Sequence, residues 1–122
     1  MKISGLNICI QILSPFPAIY KTSNQTPVKI MEESGYPNLF SLISIENLSQ
    51  YLIQNPQLIE DWLIHSDDIR HTPAWSFERN KNGKWIVSYI GRNGEMIEEY
   101  KYDDKFVACA KMIKMTFEEI KM

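Results

Sequence analysis

Residues 73–102 read PAWSFERNKNGKWIVSYIGRNGEMIEEYKY, and the architecture turns on them. Trp75, Phe77 and Arg79 alternate with Ala74, Ser76 and Glu78, and Trp85, Val87 and Tyr89 alternate with Lys84, Ile86 and Ser88. A two-residue period is that of strands with one face buried. Asn82-Gly83 and Asn93-Gly94 interrupt the alternation, and Asn-Gly is a strong hairpin cue because both residues tolerate positive φ. The stretch therefore predicts a three-stranded antiparallel meander. Trp75 and Trp85 are expected to lie near each other across the first hairpin, where an aromatic pair would pin the register. In the third strand, Met96, Glu98, Tyr100 and Tyr102 share one face, and Glu95, Ile97, Glu99 and Lys101 share the other.

Downstream of the meander the period changes to that of a helix. Asp103 or Asp104 is placed to cap it, since a carboxylate accepts exposed amide protons and suits the positive helix end. Phe106, Cys109, Ala110, Ile113, Phe117 and Ile120 then form one apolar stripe, with Lys111, Lys114 and Lys121 expected in water. A long helix with this stripe is expected to pack across one face of the sheet, giving an α+β domain of two layers.

Upstream, residues 66–78, SDDIRHTPAWSFE, join a helix to the first strand. Ser66, Asp67 and Asp68 suit a helix end and turn. Thr72 precedes Pro73 and is driven into an extended conformation. Leu58, Ile59, Trp62 and Leu63 form the stripe of a helix expected to end near His65, and Ser44 caps another carrying Ile45, Leu48 and Leu52. Thr26-Pro27 opens a short helix to about Ser34, where Gly35 supplies a stop. Residues 14–26 read as a long loop rich in proline and polar residues. Ile8, Ile10 and Ile12 alternate with Asn7, Cys9 and Gln11, which predicts an N-terminal strand; no small-x-small cleavage pattern follows it, as a targeting segment would require.

The chain has 122 residues, enough for a single domain, 1–122, that buries a sizeable core without metal or disulfide. Apolar residues at 44% and charged residues at 23% are those of a globular domain. Its apolar runs fall well short of the ~20 residues of a membrane span. Cys9 and Cys109 lack the close spacing of a zinc site and are too few for a disulfide framework, so each is expected to pack as a small hydrophobe in a reducing, cytoplasmic setting. A net charge of −2 gives little general affinity for nucleic acid. Locally the charge is uneven. Residues 95–104 hold Glu95, Glu98, Glu99, Asp103 and Asp104 against Lys101, whereas residues 105–122 are mildly basic. Such an acidic patch suits a basic protein partner.

Residues able to do acid/base chemistry gather near the junction: His65, His71, Asp67, Asp68 and Glu78, with Arg70 as a stabiliser of negative charge. An enzyme acting on RNA through His65 and His71 is the alternative reading. The five glycines form no phosphate-cradling loop and no HExxH pair exists. The carboxylates lack the spacing of a calcium loop. Neither metal nor cofactor is expected, and the aromatics of the meander lack the interleaved basic residues of an RNA-binding sheet.

The order RHTPAWSFE, GKWIVSYI, an acidic third strand and DKFVACAKMIKMTFEEI resembles small bacterial immunity proteins, the antidotes of polymorphic or contact-dependent growth inhibition toxins. The resemblance covers residues 66–120. It implies a cytoplasmic, non-catalytic protein that binds one toxin domain, a nuclease in many such systems, and occludes its active site. On that reading Glu95, Glu98, Glu99, Tyr100, Tyr102, Asp103 and Asp104 are the first-choice contact residues, and Asp67, Asp68 and Arg70 the second. An adaptor or structural subunit is the third reading.

Overall fold

A computed structural model describes residues 2–68 and 74–121, and of residues 2–7, 68 and 121 the backbone alone. The elements run α1 (Lys2–Leu13), α2 (Phe16–Ser23), α3 (Pro27–Ser34), α4 (Tyr36–Leu39), α5 (Ile45–Gln54), α6 (Gln57–Asp68), β1 (Ala74–Arg79), β2 (Trp85–Ile90), β3 (Met96–Tyr102) and α7 (Lys105–Lys121). The class is α+β, with α7 packed on an antiparallel sheet of order β1-β2-β3.

The meander forms where its alternation predicts it. Gly83 N donates to Asn80 O and Asn80 N to Lys84 O, and Gly94 N donates to Gly91 O and Gly91 N to Glu95 O, so both hairpins close in the same way. Only Gly83 and Gly94 take positive φ there, at 80° and 82°; their asparagines do not. The register pairs Trp75 with Tyr89, Phe77 with Val87 and Arg79 with Trp85. The expected meeting of Trp75 and Trp85 is thus corrected. The five-residue closure of residues 80–84 sets Trp85 opposite Arg79, so Trp85 stacks diagonally on Phe77 at 5.7 Å, while Trp75 packs on Tyr89 at 5.1 Å.

The long helix departs from the two-layer expectation. Successive helical residues point about 100° apart, yet Ala108, Cys109 and Ala110 are all fully buried. A helix enclosed in three successive directions needs neighbours on more than one side. α7 has them, in all three strands and in α3, α5 and α6. It lies between sheet and helices, and the small side chains at 108–110 permit close approach. Lys111 and Lys114 are correspondingly not in open water. The Lys111 ammonium sits 4.2 Å from the Tyr100 ring centre, and Lys114 lies 5.2 Å over Tyr36 while donating to Phe40 O. Lys121's side chain lies outside the described residues.

The N-terminal strand is replaced by α1. Its alternation spans only a few residues, and the α1 positions that meet the core, Cys9, Ile10 and Leu13, follow the i, i+1, i+4 spacing of a helix, while Ile8 is exposed. The loop at 14–26 contains α2, because Pro15 and Pro17 occupy the cap and first turn, where a missing N–H costs nothing. Asn24, at φ 59°, ends it. Pro37 likewise starts α4 instead of only blocking α3. α3 and α5 match expectation, with Thr26 and Ser44 capping through their hydroxyls. α6 runs three residues past His65, to Asp68. Its fully buried Trp62 donates from Nε1 to Ser14 O at 2.7 Å, tying α6 to the α1–α2 corner.

A polar cluster fastens the helical half to α7. Cys9 Sγ contacts Ser34 Oγ at 3.7 Å, Ser34 Oγ accepts from Tyr36 N, and the buried Tyr36 hydroxyl donates to Glu118. Lys114 approaches Glu118 at 4.0 Å. Burial and the neighbouring Glu118 carboxylate together hold the Tyr36 phenol well above its ordinary range.

Candidate functional site

The two edges of the sheet are finished differently. At β1, Phe77 N donates to Ser66 Oγ of α6 at 2.8 Å, so α6 closes that edge. This bond also fixes the phase of the ladder. Because Phe77 turns its N–H away from β2, Val87, its partner, turns its own groups toward β3. Val87 pairs with Tyr100, and Tyr89 with Glu98. Glu98, Tyr100 and Tyr102 therefore bond inward to β2, and Glu99 and Lys101 direct their N–H and C=O outward. Among the described residues these outward groups receive no hydrogen bond. β3 is an open edge.

Its side chains divide between two faces. Glu98, Tyr100 and Tyr102 share the face that α7 covers, opposite Tyr89, Val87 and Trp85, whereas Glu99 and Lys101 lie on the far face opposite Ser88 and Ile86. A bulge leaves Ile97 as the extra residue between the pairs Ile90–Met96 and Tyr89–Glu98. Met96 and Ile97 are both more than half exposed, at 53% and 56%. Glu95, Glu98, Glu99, Asp103 and Asp104 are exposed as well, and Tyr100 and Tyr102 are intermediate.

Several of these acids have local work. Asp104 Oδ1 accepts from Phe106 N and Val107 N and is the cap of α7, while Asp103 pairs with Lys84. Glu95 Oε1 accepts from Asn93 N at 2.9 Å and closes the second turn. Gly91 leaves room for it, since a Cβ there would meet Glu95 Oε1 at 2.6 Å. Glu98 accepts from the Tyr100 hydroxyl at 2.6 Å, and Glu99 lies 3.7 Å from Lys101. The Tyr100 ring stacks on Trp75 beneath Lys111. Its phenol is held above the ordinary range chiefly by the bond to Glu98, and that of Tyr89 chiefly by a bond to Glu119.

The second-choice residues do not join the first. Asp67 is exposed on α6, the helix that closes the opposite edge. The Asp68 side chain, Arg70 and His71 lie outside the described residues, as does the Thr72-Pro73 step. His65 is half-buried, with its ring edge-on to Phe16 at 5.5 Å and Trp62 at 5.7 Å. Among the described residues no group of three His, Cys, Asp or Glu side chains is placed to hold a metal ion. No described helix is long and apolar enough to cross a membrane. A shallow groove of about 200 Å³ between α2 and α6 is lined by Pro17, Ala18, Lys21, Thr22, Asp61 and Ile64.

Sequence reasoning found the acids of β3 but missed the open edge and its exposed Met96 and Ile97. The signal was present in the charges: glutamates on both faces of one strand fit neither a core face nor a central position, and charge is what proteins place on edges. Comparison with protein-family models, with curated proteins and with solved structures finds no match for this chain.

Proposed function

We propose that the chain is a protein-binding domain whose working surface is the β3 edge, and that it serves as an immunity protein neutralising a toxin domain. The open strand carries the reading. Its unsatisfied backbone groups, five neighbouring acids and exposed Met96 and Ile97 together offer a basic protein polar, charged and apolar contact at once. The resemblance of residues 66–120 to immunity proteins supplies the finer identity, and a nuclease with a basic substrate channel is the partner chemistry that the acids complement. Opposite charge would steer the encounter and raise its rate by orders of magnitude, which suits an antidote that must act before damage accumulates. The site of action is then the cytoplasm.

Co-expression with the product of the adjacent gene tests the reading. Rescue of a toxic neighbour, with a complex that survives purification, is expected. A toxic neighbour that is neither rescued nor bound would refute it.

A further inference from the structure

We infer that the partner is captured by strand addition: an extended basic segment lies along β3 as a fourth strand of the sheet. This deepens the β3-edge reading and rests on it. The argument starts from the division of the acids. Glu98 and Glu99 lie on opposite faces, so a partner approaching either face meets one and misses the other. A strand beside β3 meets both, because its own successive side chains alternate between the same two faces. The same approach satisfies the outward N–H and C=O of both Glu99 and Lys101 at once.

Charge selects the occupant. A second copy of this chain is a poorer match: with two β3 strands antiparallel about Tyr100, Glu99 would face Lys101 of the copy, but Glu98 would face only Tyr102 and its charge would stay unmet. A segment with two adjacent lysines or arginines places one on each face, toward Glu98 and Glu99. Apolar residues flanking the pair would cover Met96 and Ile97, which are otherwise exposed. The β1 edge is less open, since α6 packs beside it and Ser66 Oγ already accepts from Phe77 N.

The test uses the full chain, isotopically labelled, and the capped peptide TVKRVT as probe. On peptide saturation, amide hydrogen exchange at Glu99 and Lys101 should slow roughly tenfold or more, with little change at Tyr100, whose N–H already bonds to β2. Methylating the peptide nitrogens on one set of alternate residues should abolish binding, and methylating the other set should not. Glu99→Pro removes an outward donor without breaking the ladder to β2, and it should weaken binding at least tenfold more than Glu99→Gln. Chemical shifts that move without slowed exchange at 99 and 101, or equal losses for the two variants, would overturn strand addition and leave the β3 contact standing. Complete absence of shifts also overturns it, and co-expression rescue then decides separately whether the chain is an antidote.

Discussion

Replacing Tyr36 by phenylalanine removes one hydroxyl from the buried joint between α4 and α7 and leaves the ring packing in place. That hydroxyl donates to Glu118, and the ring contacts Phe117 at 5.9 Å beneath Lys114. A hydrogen bond to a charged acceptor contributes about 1.5–3 kcal/mol. The Glu118 side chain is 31% exposed and also served by Lys114, so screening moves the expectation to the low end, about 1.5 kcal/mol. With an unfolding entropy near 0.26 kcal/mol/K for a chain of 122 residues, Tm should fall by about 6 °C. Urea denaturation of Tyr36→Phe, Glu118→Gln and the double variant isolates the pair, and a coupling of about 1 kcal/mol is expected. The sign of the pH effect follows from the phenol. Its folded-state pKa lies above the unfolded value of 10.0, so its contribution is complete below pH 10 and is lost as pH rises toward the folded value. The variant should lack this alkaline loss. A cost under ~0.5 kcal/mol for Tyr36→Phe, or the same cost with Gln at 118, would show that the pair does not hold the joint.

Other substitutions separate structural acids from contact acids. Asp104→Ala should cost about 1 kcal/mol as a lost helix cap, whereas Asp103→Ala, whose ion pair is solvent-exposed, should cost under ~0.5 kcal/mol by thermal melting. Reversing Glu98 and Glu99 to lysine should slow association with a basic partner roughly tenfold or more at low salt and flatten its salt dependence, as read by stopped-flow; unchanged rates would remove β3 from the contact. Cys9 and Cys109 are fully buried, and burial raises both thiols above their ordinary range. Neither should react with a thiol reagent at pH 8 until the protein unfolds, so rapid labelling of the native state would contradict the packing.

The legible part of this fold was the part whose pattern repeats. The meander, the caps at Thr26 and Ser44 and the stripe of α7 each carry several agreeing signals. The N-terminal quarter failed because Ile8, Ile10 and Ile12 satisfy a strand period over too short a span, and because Pro15 and Pro17 were read as loop residues when they begin a helix. Neither error is visible without knowing what covers the segment. The acids of β3 were found by composition alone. Their division between faces followed from the period of two, but the openness of the edge did not, since it depends on no other described segment pairing with β3. The Tyr36–Glu118 joint links residues 82 apart and had no local signal at all.

The position of α7 sets when the core can close. Among the described elements it stands after all the others in chain order, and all three strands and three of the helices pack against it. The elements before α7 have apolar faces that only α7 covers. Contacts between α5 and α7 then close a loop of about fifty residues, a distance that slows folding relative to local pairing. The described core therefore closes only when α7 joins it. A truncation that removes α7 should abolish the cooperative thermal transition, because the apolar faces of the sheet and of α3, α5 and α6 then lose their common partner.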